Sequence, residues 1–222
     1  MAGSPAPEHG ILPTIAPLGD SGLLVRFGTS LTDAANQAAI KLALALEQSP
    51  IPGVVEIVPN LVSVLLRYDA AASSLESIAG ELRLRLSAPP SELPPTARWT
   101  IPVVFDGPDL DAVAGSLGMT VPRFVAAHNA SSVRVLTTGF APGFVYCGLH
   151  PDALAVPRRT GLRPAVPPGS ILFAARQTAI AATEMPTGWA VIGHTDFVNF
   201  DPSEEPPTRL GAGDSINFEA VS

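Results

Sequence analysis

Three arginines, Arg158, Arg159 and Arg163, fall within six residues, in a stretch crowded with glycine, proline and aromatic side chains. A guanidinium group binds a carboxylate or phosphate through paired N–H bonds, so the cluster predicts an anion site or a contact with another chain. The competing reading pairs the arginines with nearby acids such as Asp152 or Glu184, or with turn carbonyls. Ahead of them runs Gly139-Phe140-Ala141-Pro142-Gly143-Phe144-Val145-Tyr146. Behind them come Val166-Pro167-Pro168-Gly169-Ser170, Gln177-Thr178, Gly188-Trp189 and Ile192-Gly193-His194-Thr195. Glycine permits positive φ and proline fixes φ, so these segments read as turns of defined shape. Phe140, Phe144, Tyr146 and Trp189 are expected to line an apolar cleft with a few convergent polar groups, the usual form of a small-molecule site. Backbone N–H groups of the Gly139–Tyr146 loop are candidate donors to a developing oxyanion.

His128 ends a predicted helix before a polar turn. It is the candidate general base if its pKa lies near neutral, and a helix cap otherwise. Cys147 and His150 lie three apart, but no second cysteine or histidine cluster completes a metal site, and none is expected. Cys147 reads as a small buried hydrophobe rather than a nucleophile. The chain has no GxxxxGK[ST] loop, no GxGxxG after a strand and no GxSxG elbow, so no cofactor is expected from a recognisable motif.

The elements that must position these groups fall into two regions. In the first, Ile11–Pro17 and Leu23–Phe27 read as strands joined by a turn-rich Gly19–Gly22 link. Asp33–Gln48 reads as a helix with Ala35, Ala39, Leu42 and Leu46 on one face, capped by Thr32 or Asp33. Val54–Val58 and Leu61–Tyr68 form a second strand pair. Ser74–Leu86 reads as a second helix, with Ser73 and Glu76 at capping-box spacing. The expected product is an α+β two-layer domain, ββαββα, over residues 11–88. Residues 89–98 hold four prolines within Pro89–Pro95 and read as an extended linker. Residues 99–222 follow as a mainly-β domain: a strand at Trp99–Phe105, short helices at Leu110–Leu117 and Val121–Ala127, then short strands broken by Gly and Pro from Val133 onward. That pattern suggests a barrel or sandwich.

Composition sets outer bounds. A net charge of −7 over 222 residues argues against a nucleic-acid partner. Only 15% of residues are charged while 46% are hydrophobic, which predicts that another chain covers part of the surface. One cysteine rules out an internal disulfide and fits a reducing compartment. The first ten residues lack the features of a signal peptide, and no apolar run is long enough for a membrane helix. A cytoplasmic, soluble protein is the expectation.

The order GF-x-PGF-x-Y, PRR-x-x-x-R, V-x-x-GS, QT and GW-x-x-IG-x-T resembles the KipI-like family, which includes the B chain of bacterial 5-oxoprolinase and allophanate hydrolase subunit 1. Ile101-Pro102-Val103, Gly107-Pro108-Asp109-Leu110, His128 and Gly213-Asp214 extend the likeness. The resemblance implies a cyclophilin-like β-barrel for the second domain. It also implies a substrate cleft built from Gly139, Phe140, Pro142, Gly143, Phe144, Tyr146, Arg158, Arg159, Arg163, Gln177, Thr178, Trp189 and Thr195, with His128 as the catalytic candidate. The implied activity is ATP-dependent opening of 5-oxoproline to glutamate, ATP being a co-substrate of the assembled enzyme. The implied partner is the C-type component of 5-oxoprolinase, a chain of the allophanate hydrolase subunit 2 type, with a third 5-oxoproline-activating component. Two alternatives stay open: one component of an allophanate- or urea-degrading amidohydrolase, and a regulatory inhibitor of a sensor histidine kinase. The chain departs from the family at Val145, Cys147, Ala182-Thr183 and His194, which implies a modified cleft wall.

Overall fold

In the computed structural model, residues 13–87 and 96–222 are described. The chain divides between Leu93 and Pro94 into two compact units. Residues 89–95 of the expected linker lie outside the described residues, and Arg98 already belongs to a strand.

The first unit runs β1 (Thr14–Leu18), β2 (Gly22–Arg26), α1 (Asp33–Gln48), β3 (Val54–Pro59), β4 (Ser63–Tyr68) and α2 (Leu75–Ser87). Its sheet is antiparallel, in the order β1-β2-β4-β3. Alternation places Leu23 and Val25 of β2 and Val64, Leu66 and Tyr68 of β4 in one core. The 3.6-residue periodicity adds Ala35, Ala39, Leu42 and Leu46 of α1 and Ile78, Ala79 and Leu82 of α2. Thr32 Oγ1 caps α1 by accepting from Ala35 N. The cap of α2 is one residue later than the sequence spacing suggests. Ser74 Oγ accepts from Ser77 N, so Ser73 and Glu76 do not form the expected box.

The second unit begins with β5 (Arg98–Val104), followed by helices α3 (Leu110–Ser116) and α4 (Val121–His128). Its later strands are β6 (Val133–Thr138), β7 (Val145–Gly148), β8 (Arg163–Val166), β9 (Ser170–Ala174), β10 (Gln177–Ile180), β11 (Met185–Thr187), β12 (Ala190–His194) and β13 (Ser215–Val221). Seven of these strands close a barrel in the order β10-β7-β6-β13-β5-β12-β9. All described pairings are antiparallel except β5 with β13, which run parallel over Arg98–Val104. Inward residues such as Ile101, Val103, Val135, Cys147, Ile171, Phe173, Ile192 and Phe218 pack with Phe124 of α4 into one core. A separate two-stranded sheet, β8 with β11, covers a second apolar layer. There Val166 and Met185 pack with Phe144, Leu172, Ala174, Ala179 and Trp189.

Candidate functional site

The Gly139–Tyr146 loop joins β6 to β7 and is held from two sides. Gly139 N donates to Phe144 O at 3.1 Å and Phe144 N to Ala141 O at 3.0 Å. Asn199, fully enclosed, donates from Nδ2 to Gly143 O at 2.8 Å and accepts from Leu210 N at 2.9 Å. Gly143 has φ +68°, and a Cβ there would sit 2.5 Å from Phe200 Cβ, so only glycine fits. Phe140 holds φ +81°, rare for an aromatic residue, and is 72% exposed. Pro142 is exposed as well. Among the described residues, the N–H groups of Phe140, Ala141 and Gly143 have no protein acceptor. The loop thus presents uncommitted donors beside an outward-facing ring.

An edge-to-face ladder runs inward from that ring: Phe140 to Phe144 at 5.7 Å, Phe144 to Tyr146 at 4.8 Å, and Tyr146 to Trp189 at 5.8 Å between centroids. Phe144 and Trp189 are buried under the β8–β11 sheet, so they support the loop rather than line a cleft. Only Phe140 and the half-buried Tyr146 reach the surface from this set.

The arginines separate. Arg163 Nη2 donates to both oxygens of Asp109 at 3.0 and 2.9 Å, and Arg159 Nη1 donates to the same carboxylate. Asp109 Oδ2 also accepts from Val191 N at 2.8 Å. Burial works to raise the Asp109 pKa, but the Val191 N–H and the two guanidinium groups outweigh it and hold the carboxyl below its ordinary value. This clamp ties the segment after β5 to β8 and β12. The partners suggested by the sequence, Asp152 and Glu184, are not the ones used: Asp152 pairs with Arg176 at 2.5 Å. Arg158 instead lies over the Trp189 ring, 5.6 Å from its centre.

His128 closes α4 but points inward, where it is 1% exposed. Its Nε2 is 2.7 Å from Thr178 Oγ1 and its Nδ1 is 2.6 Å from Asn129 Oδ1. Burial lowers its pKa to about 4, which removes the near-neutral titration on which the expectation of a general base rested. His150, which the sequence offered only as a doubtful ligand, completes the cluster with Nε2 2.8 Å from the same hydroxyl. Its pKa falls to about 3 through burial and the fields of His128 and Arg176. Thr178 is therefore an interior bridge. Gln177 is buried on the opposite face of β10, its Oε1 lacking a partner among the described residues. Thr195 is buried too, donating to Pro102 O at 2.6 Å and accepting from Phe197 N at 3.1 Å. Cys147 is fully buried in the barrel core, which pushes its thiol well above its ordinary value. His194 stands at the surface with Nδ1 2.9 Å from Asp106.

Of the residues picked from sequence, the structure brings Gly139, Phe140, Pro142, Gly143, Phe144, Tyr146, Trp189 and Arg158 into one connected patch. Arg159 and Arg163 serve the Asp109 clamp, while His128 and Thr178 lie inside the barrel. Asn199 is a positioning residue that sequence reasoning missed, while Asp109 and His150 were met in the sequence but not in the positioning roles the structure gives them. An acid opposite clustered arginines was the only available signal, and it pointed to the wrong acids. No group of three or more potential metal ligands occurs among the described residues.

A closed barrel carries the glycine-shaped Gly139–Tyr146 loop, and the clamped two-stranded sheet backs it. The carboxyltransferase domain, subdomain C and D, family model matches residues 13–210, and the chain belongs to that family. It is 32% identical to the B chain of 5-oxoprolinase from Bacillus subtilis, over 94% of this chain and 92% of that protein. It is 35% identical to the corresponding 5-oxoprolinase chain of Escherichia coli O157:H7, over 90% of this chain and 93% of that one. The crystal structure of TTHA0988 superposes with a TM-score of 0.81 at 34% identity, covering 90% of this chain but only 40% of that longer one. The KipI-like resemblance read from the motifs is thereby shown.

Proposed function

We propose that this chain is one component of an ATP-dependent 5-oxoprolinase that opens 5-oxoproline to glutamate. It acts with a C-type partner, of the allophanate hydrolase subunit 2 kind, and a third component that activates the lactam. The observation that carries this reading is the likeness to two proteins named as the B chain of 5-oxoprolinase, over at least 90% of this chain and of each of theirs. The geometry supports a shared site. The interior histidines are neutral and enclosed, and the thiol is buried, so the barrel offers binding groups without a proton-transfer set.

ATP transfers its terminal phosphoryl group to the lactam carbonyl oxygen and leaves as ADP. Water adds to the activated carbon, the C–N bond breaks with the nitrogen taking a proton, and a second water hydrolyses the resulting acyl phosphate to glutamate and phosphate. The step needs donors for a developing oxyanion, which the free N–H groups of Phe140, Ala141 and Gly143 are placed to supply. Charge to balance an anionic substrate comes from Arg158. The attacking water's base and the nucleotide site belong to the other chains in this scheme.

The test is co-expression of the chain with its candidate partners, followed by assay on 5-oxoproline plus ATP. ATP-dependent release of glutamate by the assembly, absent from the lone chain, supports the proposal. Turnover of allophanate instead, or inhibition of a sensor kinase with no turnover, would move the reading to one of its two rivals.

A further inference from the structure

Two of the three clustered arginines are committed to Asp109. Arg158 is not: among the described residues no carboxylate lies within ion-pair distance, and its guanidinium rests over Trp189. Tyr146 meets the same tryptophan ring edge-on, is half-buried, and its hydroxyl has no protein hydrogen-bond partner among the described residues. Burial raises the Tyr146 pKa and the field of Arg158 works against that rise, so the two groups sense each other and the phenol is a protonated donor at neutral pH. A guanidinium and a neutral O–H donor, both unused and both set against one buried ring, match a single negative charge shared by two oxygens. A phosphate dianion would call for more cations than the one free arginine here. The aromatic ladder continues from Tyr146 through Phe144 to exposed Phe140, which gives the uncharged part of such a ligand an apolar flank.

We infer that Arg158 and Tyr146 form a carboxylate-recognition pair that holds a small monoanionic acid and excludes its neutral analogues. Resting on the 5-oxoprolinase reading, that acid is 5-oxoproline, and the pair grips its carboxylate so that the lactam carbonyl is presented to the partner chain's groups. Asp109 contributes indirectly, by withdrawing Arg159 and Arg163 from competition for the same anion.

The test is isothermal titration calorimetry on the co-purified complex with three probes. They are L-5-oxoproline, 2-pyrrolidinone (the same lactam without the carboxylate) and glutarate (a carboxylate without the lactam). Binding of 5-oxoproline at least about tenfold tighter than 2-pyrrolidinone, with the difference erased in Arg158→Gln and reduced severalfold in Tyr146→Phe, supports the pair. Arg158 is exposed and Tyr146→Phe keeps the ring, so circular dichroism and melting temperature should match wild type in both. In turnover assays, the Arg158→Gln complex should show a raised KM for 5-oxoproline with kcat reduced less. If glutarate binds in an Arg158-dependent way while 5-oxoproline neither binds nor turns over, the pair stands and the 5-oxoprolinase reading falls. If no carboxylate binds, or discrimination survives in Arg158→Gln, the pair is overturned, whatever the activity of the assembly.

Discussion

The rings of His128 and His150 stack 4.6 Å apart inside the barrel, and both Nε2 atoms meet the single hydroxyl of Thr178. The protons can be assigned around this node. Asn129 Oδ1 only accepts, so His128 Nδ1 carries a hydrogen and its Nε2 is free to accept from the Thr178 O–H. Thr178 Oγ1 then accepts from His150 Nε2–H. A proton added to His128 would sit on Nε2, turning an acceptor into a donor aimed at an oxygen that already receives one.

Acid should therefore loosen the barrel before it protonates most carboxylates. Both histidines have folded pKa values, about 4 and about 3, below the ordinary 6.5, so the unfolded chain binds more protons between those limits. Stability is fully present above pH 6.5 and falls as pH drops toward 4. The loss is expected to be on the order of 2 kcal/mol or more by about pH 5. Urea unfolding at a series of pH values reads it, and replacing both histidines with Gln should flatten the profile.

Asp109→Ala should destabilise the second unit by about 1–3 kcal/mol, because it strands two guanidinium groups and the Val191 N–H. Arg159→Ala should cost less, since Arg163 keeps its two-oxygen grip. Denaturant midpoints for the two variants settle the order.

Cys147 should resist thiol reagents in the native protein and react only on unfolding. Cys147→Ala should be mild. Cys147→Leu should cost about 1–3 kcal/mol, because the added methylenes must be fitted into a fully enclosed core position. A reactive native thiol, measured by reagent kinetics, would reopen the question of a nucleophile.

Gly143→Ala should reduce activity of the assembled enzyme at least about tenfold while the barrel stays folded. The added methyl would lie 2.5 Å from Phe200 Cβ and 2.8 Å from Ala182 Cβ in a left-handed backbone, displacing the donor loop. Parallel measurement of kcat and melting temperature separates loop damage from unfolding.

The lone chain should self-associate, and a partner should rescue it. Phe140, Leu162 and Val198 of the second unit are 72%, 71% and 59% exposed, and these are the large apolar side chains a partner would cover. Size-exclusion chromatography with light scattering distinguishes this from a monodisperse monomer indifferent to its partner.

Local elements were legible where periodicity was strong: α1 spans Asp33–Gln48, the range its apolar spacing indicates, and Thr32 caps it. The barrel's closure was not, because parallel pairing joins strands far apart in the chain and leaves no local trace. The site was legible as a set of residue types but not in its burial. Phe144 and Trp189 look like cleft walls until the β8–β11 sheet is laid over them. Likewise, nothing in the spacing of Thr178, His128 and His150 reveals that one hydroxyl bridges two rings inside a barrel. The arginines read as one cluster, and only the fold shows that Asp109 claims two of them.

The parallel pairing of β5 with β13 joins Arg98 to Ser215, and Ala97 N to Asp214, across 117 positions of sequence. During synthesis, the edge of β5 stays unpaired on that side until the last of these strands leaves the ribosome, and the loop-closure entropy falls due in that single event. The nascent second unit is thus an open, sticky sheet for most of its translation. Shortening β13 by a few residues should trap it in that state, lowering the folded yield in the cell far more than the lost contacts alone would suggest.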